Sequence, residues 1–172
     1  MANPAEIADA IASVRQHFVD HPEDARGPDT EARARLVDGL RVHVEGPNGW
    51  TADTDMARAL GGEASAPSPG WLMRAAVASC DAVLVAMQAA EEGVTLDRLE
   101  AHVTSESDDR GLVGGADVPA GPERVSLTVS LSAAGRSQDE LEALVRRALK
   151  RSPVSEALSR SVPIAVTVEA AW

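Results

Sequence analysis

Gly61-Gly62-Glu63-Ala64-Ser65-Ala66-Pro67-Ser68-Pro69-Gly70-Trp71-Leu72-Met73-Arg74-Ala75-Ala76-Val77-Ala78-Ser79-Cys80 is where a breaker-rich loop gives way to the most apolar run of the chain. Ser68 is a good N-cap and Pro69 suits the first helical position, where no backbone donor is needed. The helix that starts there is predicted to run to about Glu92, where Gly93 ends it. From Trp71 to Ala90 it has the length of a membrane span, but Arg74, Asp81 and Gln88 interrupt it. Charges at a bilayer centre cost about 2.5–3.5 kcal/mol each. The spacing therefore predicts a helix buried in protein on nearly all sides, carrying Cys80 about three turns in.

Upstream, Asn3-Pro4-Ala5-Glu6 has the form of a capping box, and Ile7, Ile11, Val14 and Phe18 follow at helical spacing. His21 to Thr30 is polar and rich in breakers, so residues 1–30 are read as a helical extension with a linker and 31–172 as the main domain. Arg33 to Glu45 alternates and is expected as one half-buried strand, with Pro47-Asn48-Gly49 turning the chain and Trp50 to Asp55 returning antiparallel. Downstream, Leu96 to Ser105 and Arg124 to Ser132 are further strands, the second alternating Val125, Leu127, Val129 and Leu131 with Ser and Thr. Between them, Glu106 to Glu123 is read as a long polar loop, with an Arg–carboxylate pair in the turn Glu106–Gly111. Ser137-Gln138-Asp139-Glu140 is a second capping box opening a helix to about Lys150, and Ser152-Pro153 starts a short one. Val162 to Ala170 is expected to close the chain as a strand. Strands in antiparallel pairs with helices segregated between them give an α+β fold.

Composition narrows the function. With one Phe, no Tyr and three Trp in 172 residues, Ala, Val and Leu fill the interior. Small side chains bury little area each, at about 25 cal/mol per Å² of apolar surface, so a second subunit adds much. A net charge of −11 repels phosphate backbones and anionic lipid, so neither nucleic acid nor membrane is an expected partner. The basic run Arg146 to Arg151 suits a helix C-terminus facing the negative end of the dipole. One cysteine excludes an internal disulfide, and Glu6, Asp9 and Asp20 break up any leader-like run, so a cytoplasmic protein is expected.

The Gly-Gly loop, the Pro-Ser-Pro helix start and the Ala-Ala-x-Ala-Ser-Cys ending at Cys80 together resemble the OsmC/Ohr family. Gly93-Val94-Thr95-Leu96 entering a strand and Ser152-Pro153-Val154, where many members have Cys-Pro-Val, fit the same template over roughly residues 33–170. The resemblance implies an intertwined homodimer, with an antiparallel sheet drawn from both chains packed on two long central helices and active sites at the interface. In the family's peroxidases, the cysteine matching Cys80 attacks an organic hydroperoxide and becomes a sulfenic acid. A second cysteine condenses with it, and an outside thiol restores the pair. A glutamate two positions into the helix and an arginine from an N-terminal loop support the thiolate. Here the second cysteine is Ser152, the glutamate position is Gly70, and Arg35 and Arg41 are both near the loop position without a choice between them.

Cys80 itself has two readings. Apolar neighbours raise a thiol's pKa, whereas a nucleophile needs a cation or helix N-terminus to lower it. Ala76, Val77, Val83 and Leu84 share its face, Asp81 has the wrong sign, and Arg74 points elsewhere. Cys80 is then either an inert core residue or a nucleophile served by a cation from another element or subunit. As a nucleophile it would reduce a small hydrophobic peroxide, with an external thiol reductant. The competing function is a non-catalytic protein binding a small apolar ligand at the dimer interface, and a third is docking of another protein by the N-terminal helix. No cofactor and no metal are expected. His17 and His21 stand four apart on a helix but have no third ligand, His43 and His102 are distant in sequence, and the Glu106–Gly111 turn lacks a calcium loop's ligand ladder.

Overall fold

A computed structural model describes residues 3–115, 117–160 and 162–170. The elements in chain order are α1 (Pro4–Asp20), β1 (Arg33–Asp38), β2 (Arg41–Glu45), β3 (Thr51–Thr54), α2 (Pro69–Glu91), β4 (Arg98–Ser107), α3 (Asp109–Leu112), β5 (Pro122–Ser132), α4 (Gln138–Leu149) and α5 (Pro153–Ser159). Strands β1, β2 and β3 form one antiparallel sheet in that order, and β4 and β5 form another, an α+β arrangement.

The helix starts lie where the sequence puts them, because each is satisfied locally. Asn3 and Ser137 each accept the backbone N–H three residues on, and Glu6 and Glu140 reach back to complete both capping boxes. Ser68 accepts from the Trp71 N–H, and Gly93, at φ +64°, turns the chain at the far end of α2 so that the Val94 N–H reaches the Ala89 carbonyl at 2.8 Å.

The core forms where α2 crosses α4. Val85 and Ala89 pack with Leu141, Leu144 and Ala148, roofed by Val94 and Ala133, and Leu99 and Leu131 close the side toward β4 and β5. Those two strands pair in the alternating register their sequence implies: Leu99 opposite Leu131, Ala101 opposite Val129, Val103 opposite Leu127. The Glu106–Gly111 turn carries the expected pair, Asp108 accepting from Arg110 Nε at 2.9 Å.

Three expectations are corrected. Residues 33–45 form two strands, because Gly39 at φ +53° reverses the chain and pairs Arg33 with Glu45 and Leu36 with Val42. Residues 162–170 are unpaired, with Ile164 88% exposed; a strand needs a ladder partner, this chain brings none to it, and Pro163 removes a donor. Helix α2 is not buried on nearly all sides: Val77, Asp81, Val85, Ala89 and Ala90 are buried, while Ala76, Ser79 and Val83 lie open. By length and composition it is the one described helix able to cross a membrane, yet its buried stripe packs on α4 and β4 in a folded domain.

The β1–β3 sheet stands off from this core. Its strands pair with one another and touch the other elements only slightly, leaving Leu36 and Trp50 more than half exposed. Asp55 ties it down. That buried carboxylate accepts the backbone N–H groups of Met56 (2.7 Å), Glu63 (3.2 Å) and Ser65 (2.9 Å) and the Ser65 hydroxyl (2.8 Å). The loop wraps so tightly that a Cβ on Gly62 would lie 2.1 Å from the Met56 carbonyl oxygen, which is why the second glycine of the pair is needed.

Two outcomes follow from this packing. Leu144→Ala removes the centre of the α2–α4 contact and should cost about 2–5 kcal/mol, read from the urea midpoint. The Ser65 N–H and hydroxyl hold the Asp55 carboxyl below its ordinary value against the opposing effect of burial, with Met56 and Glu63 assisting. A depressed carboxyl stabilises the fold above about pH 4 and loses that contribution as pH falls through its folded value. Melting temperatures measured across acid pH should therefore fall more steeply for the wild type than for Asp55→Asn.

Candidate functional site

Cys80 and Asp81 are consecutive residues of α2, and both meet the first turn of α5. Cys80 is half-buried, and its Sγ lies 3.6 Å from Ser152 Oγ, its only hydrogen-bond partner among the described residues. Ser152 is buried and caps α5, accepting the Ser155 N–H at 3.2 Å. The Ser155 hydroxyl donates to Asp81 Oδ2 at 2.8 Å. Asp81 is fully buried, and its Oδ1 is left without a partner. A buried carboxyl oxygen lacking a donor is costly, and the bond from Ser155 offsets part of that cost on the other oxygen.

Beside the cluster, Val77, Val125, Leu127, Leu158 and Ser155 line a groove of about 460 Å³ between α2, β5 and α5. Its apolar floor is edged by Glu123 and Arg124, and Ser155 connects it to the cysteine turn. The structure thus brings Cys80 and Ser152 together, although 72 positions separate them.

Among the described residues no cation bonds the thiol. The Arg74 guanidinium donates to Ser105 Oγ at 3.0 Å, on the β4 side of α2. Arg41, one of the two loop candidates, donates to Asp53 Oδ2 at 2.9 Å, and His43 Nδ1 is 2.6 Å from Asp53 Oδ1. His43, then Arg41, hold the Asp53 carboxyl below its usual range. Arg35 sits opposite His43 on β1. Gly70 is not forced by space, since a Cβ there would meet Arg74 Nη1 only at 3.8 Å. His17 Nε2 lies 2.9 Å from Asp24, and among the described residues no group of three metal-binding side chains occurs.

Sequence reasoning missed two features. Asp81 was an interruption of an apolar run and is in fact the buried partner of α5; the signal available was the Ser152-Pro153-x-Ser155 spacing, which offers a second hydroxyl in the capping turn. The Arg41–Asp53–His43 cluster depends on the β2–β3 register, in which His43 faces Asp53.

Comparison with known proteins agrees with this geometry. The family model of the OsmC-like protein matches residues 62–167. The chain therefore belongs to the OsmC family. Among solved structures, the organic hydroperoxide resistance protein OsmC of Legionella pneumophila, described as a predicted redox protein and regulator of sulfide bond formation, is 29% identical, with a TM-score of 0.55, covering 77% of this chain and 90% of its own. An OsmC-like protein of Mycoplasma pneumoniae shares the fold at 15% identity and a TM-score of 0.67, covering 79% of this chain and 91% of its own. The organic hydroperoxide resistance protein OhrB of Bacillus subtilis does so at 21% and 0.53, covering 78% and 93%. No curated protein matches the chain.

The 3.6 Å approach can be tested by restoring a second thiol. A Ser152→Cys variant treated with one equivalent of peroxide should lose two hydrogens by intact mass, as an internal disulfide forms, while the wild type cannot.

Proposed function

We propose that this protein is a single-cysteine, thiol-dependent reductase of apolar organic hydroperoxides, with Cys80 as nucleophile. The observation that carries the reading is a half-exposed thiol, capped by a hydroxyl, beside a groove with an apolar floor and a charged edge in an OsmC-family fold. The Cys80 thiolate attacks the distal peroxide oxygen, the O–O bond breaks, and the alkoxide leaves as the alcohol after taking a proton. Cys80 becomes a sulfenic acid. With serine at 152 no internal thiol can condense with it, so an external thiol displaces water to give a mixed disulfide, and a second thiol releases Cys80.

The same reading includes a homodimer in the cytoplasm. The open stripe of α2, the stand-off β1–β3 sheet and the unpaired apolar segment at 162–170 are all surfaces that a second copy would cover. A second copy is also the source from which a cation would reach Cys80, as thiolate formation requires.

A second reading, a non-catalytic protein holding a small apolar ligand at this site, is favoured by a thiol that no cation bonds among the described residues and by glycine at position 70. Steady-state turnover of cumene hydroperoxide with dithiothreitol separates the two. Turnover should fall at least 100-fold in Cys80→Ser. Equal turnover in that variant would sink the peroxidase reading, and a wild type without turnover that retains a small molecule in native mass spectrometry would establish the other.

A further inference from the structure

Helix α1 lies outside the matched family region, and its apolar stripe is only half used. Ile7 and Ile11 are half-buried against α2, but Val14 and Phe18, next along the same face, are 52% and 42% exposed. Between them and Met87 of α2 runs a groove of about 440 Å³, within the range of small-molecule sites. Its lip is charged. Arg15 from α1 and Arg151 from the end of α4 both line the groove, and both bond the same carboxylate, Glu91, Arg151 at 2.5 Å.

The balance of charge there runs against that of the molecule. Glu91 is largely buried between the two guanidiniums. Arg147 neutralises the neighbouring Glu92 through two bonds of 2.8 Å. With that pair neutral, two arginines share one carboxylate, leaving one positive charge at the mouth of an apolar groove on a chain of net charge −11. Burial raises the Glu91 carboxyl, but Arg151 and Arg15 together outweigh it and hold it below its ordinary value, so it stays available as the anchor of both. Arg151 also donates to Gln88 at 3.3 Å, and the remaining N–H groups of the two part-exposed guanidiniums suit a planar carboxylate.

We propose that the α1–α2 groove binds an amphipathic carboxylate, its hydrocarbon chain along Ile11, Val14, Phe18 and Met87 and its head on Arg15 and Arg151. The site is separate from Cys80 and does not rest on the peroxidase reading.

Calorimetric titration of the full chain with dodecanoate, below its micelle concentration, tests this. Dodecanoate should bind at about one per chain and at least tenfold more tightly than dodecyltrimethylammonium. Arg151→Gln and Phe18→Ala should each weaken it about tenfold, with Cys80→Ser unchanged. No binding, equal binding of the cationic analogue, or loss of binding in Cys80→Ser would overturn the proposal. So would a Phe18→Asp variant that turns a dimer into a monomer by sedimentation while dodecanoate fails to bind the wild type, since the groove would then be a subunit contact.

Discussion

The structure depends on one stripe of α2. Val77, Asp81, Val85 and Ala89 lie four residues apart, so they fall along a single line of the helix, and all four are buried. The lower part of the line is hydrocarbon against hydrocarbon, with Val85 and Ala89 set against Leu141, Leu144 and Ala148 of α4. Alanine at 89 and 148 lets the two helices come close, which offsets the small area each side chain buries. Above them one polar residue interrupts the line: Asp81, below the buried Val77, is held there by the Ser155 hydroxyl. A carboxylate placed in that line is an expensive residue for a helix packed on its own core, and it makes α2 specific for the one element that presents a hydroxyl at the right height.

That placement governs what Cys80 experiences. Asp81 points into the joint, so its neighbour Cys80 is turned about 100° away, to the edge of the same contact. There it meets Ser152, the cap of α5, and keeps partial access to solvent. The cap has two duties, because Ser152 Oγ also satisfies the Ser155 backbone N–H. Serine therefore closes the turn by itself, with its hydroxyl shared between the cap and the thiol. The fold and the chemistry of the second position are separable here, which is why family membership alone fixes the first and not the second.

Much of the fold was legible because it is local. Both capping boxes, the Pro69 start and the Gly93 stop are settled within five residues, and the alternation of β5 fixes its face and, through Leu99 and Leu131, its register with β4. The failures are those of distance or of punctuation overlooked. Asp38-Gly39 is a hairpin signal, but the alternation continues across it and so read as one strand. The partner of Asp81 lies 74 positions away and that of Arg41 on a separate strand, so neither follows from spacing along the chain. Cys80 and Ser152 were singled out by resemblance. Composition and periodicity had left the cysteine between an inert core position and a nucleophile, and its half-buried setting favours neither a sealed core nor full exposure.

The faces left over share a property that explains the composition. The outward stripe of α2 is Ala76, Ser79 and Val83, flanked by Ala75 and Ala86, side chains small enough for another helix backbone to approach closely. The β1–β3 sheet has a polar face, where Arg41, His43 and Asp53 bond one another, and an opposite face carrying Leu36, Val42 and Val44. Within one chain that second face has no core to cover it. The bulkier aliphatic side chains Val85, Leu99, Leu131, Leu141 and Leu144 go into the one core the chain builds, which leaves Leu36 exposed on the sheet and small side chains on the outward stripe of α2. The Asp55-pinned loop fixes the sheet to the chain leading into α2, while the sheet itself makes few contacts with the helices.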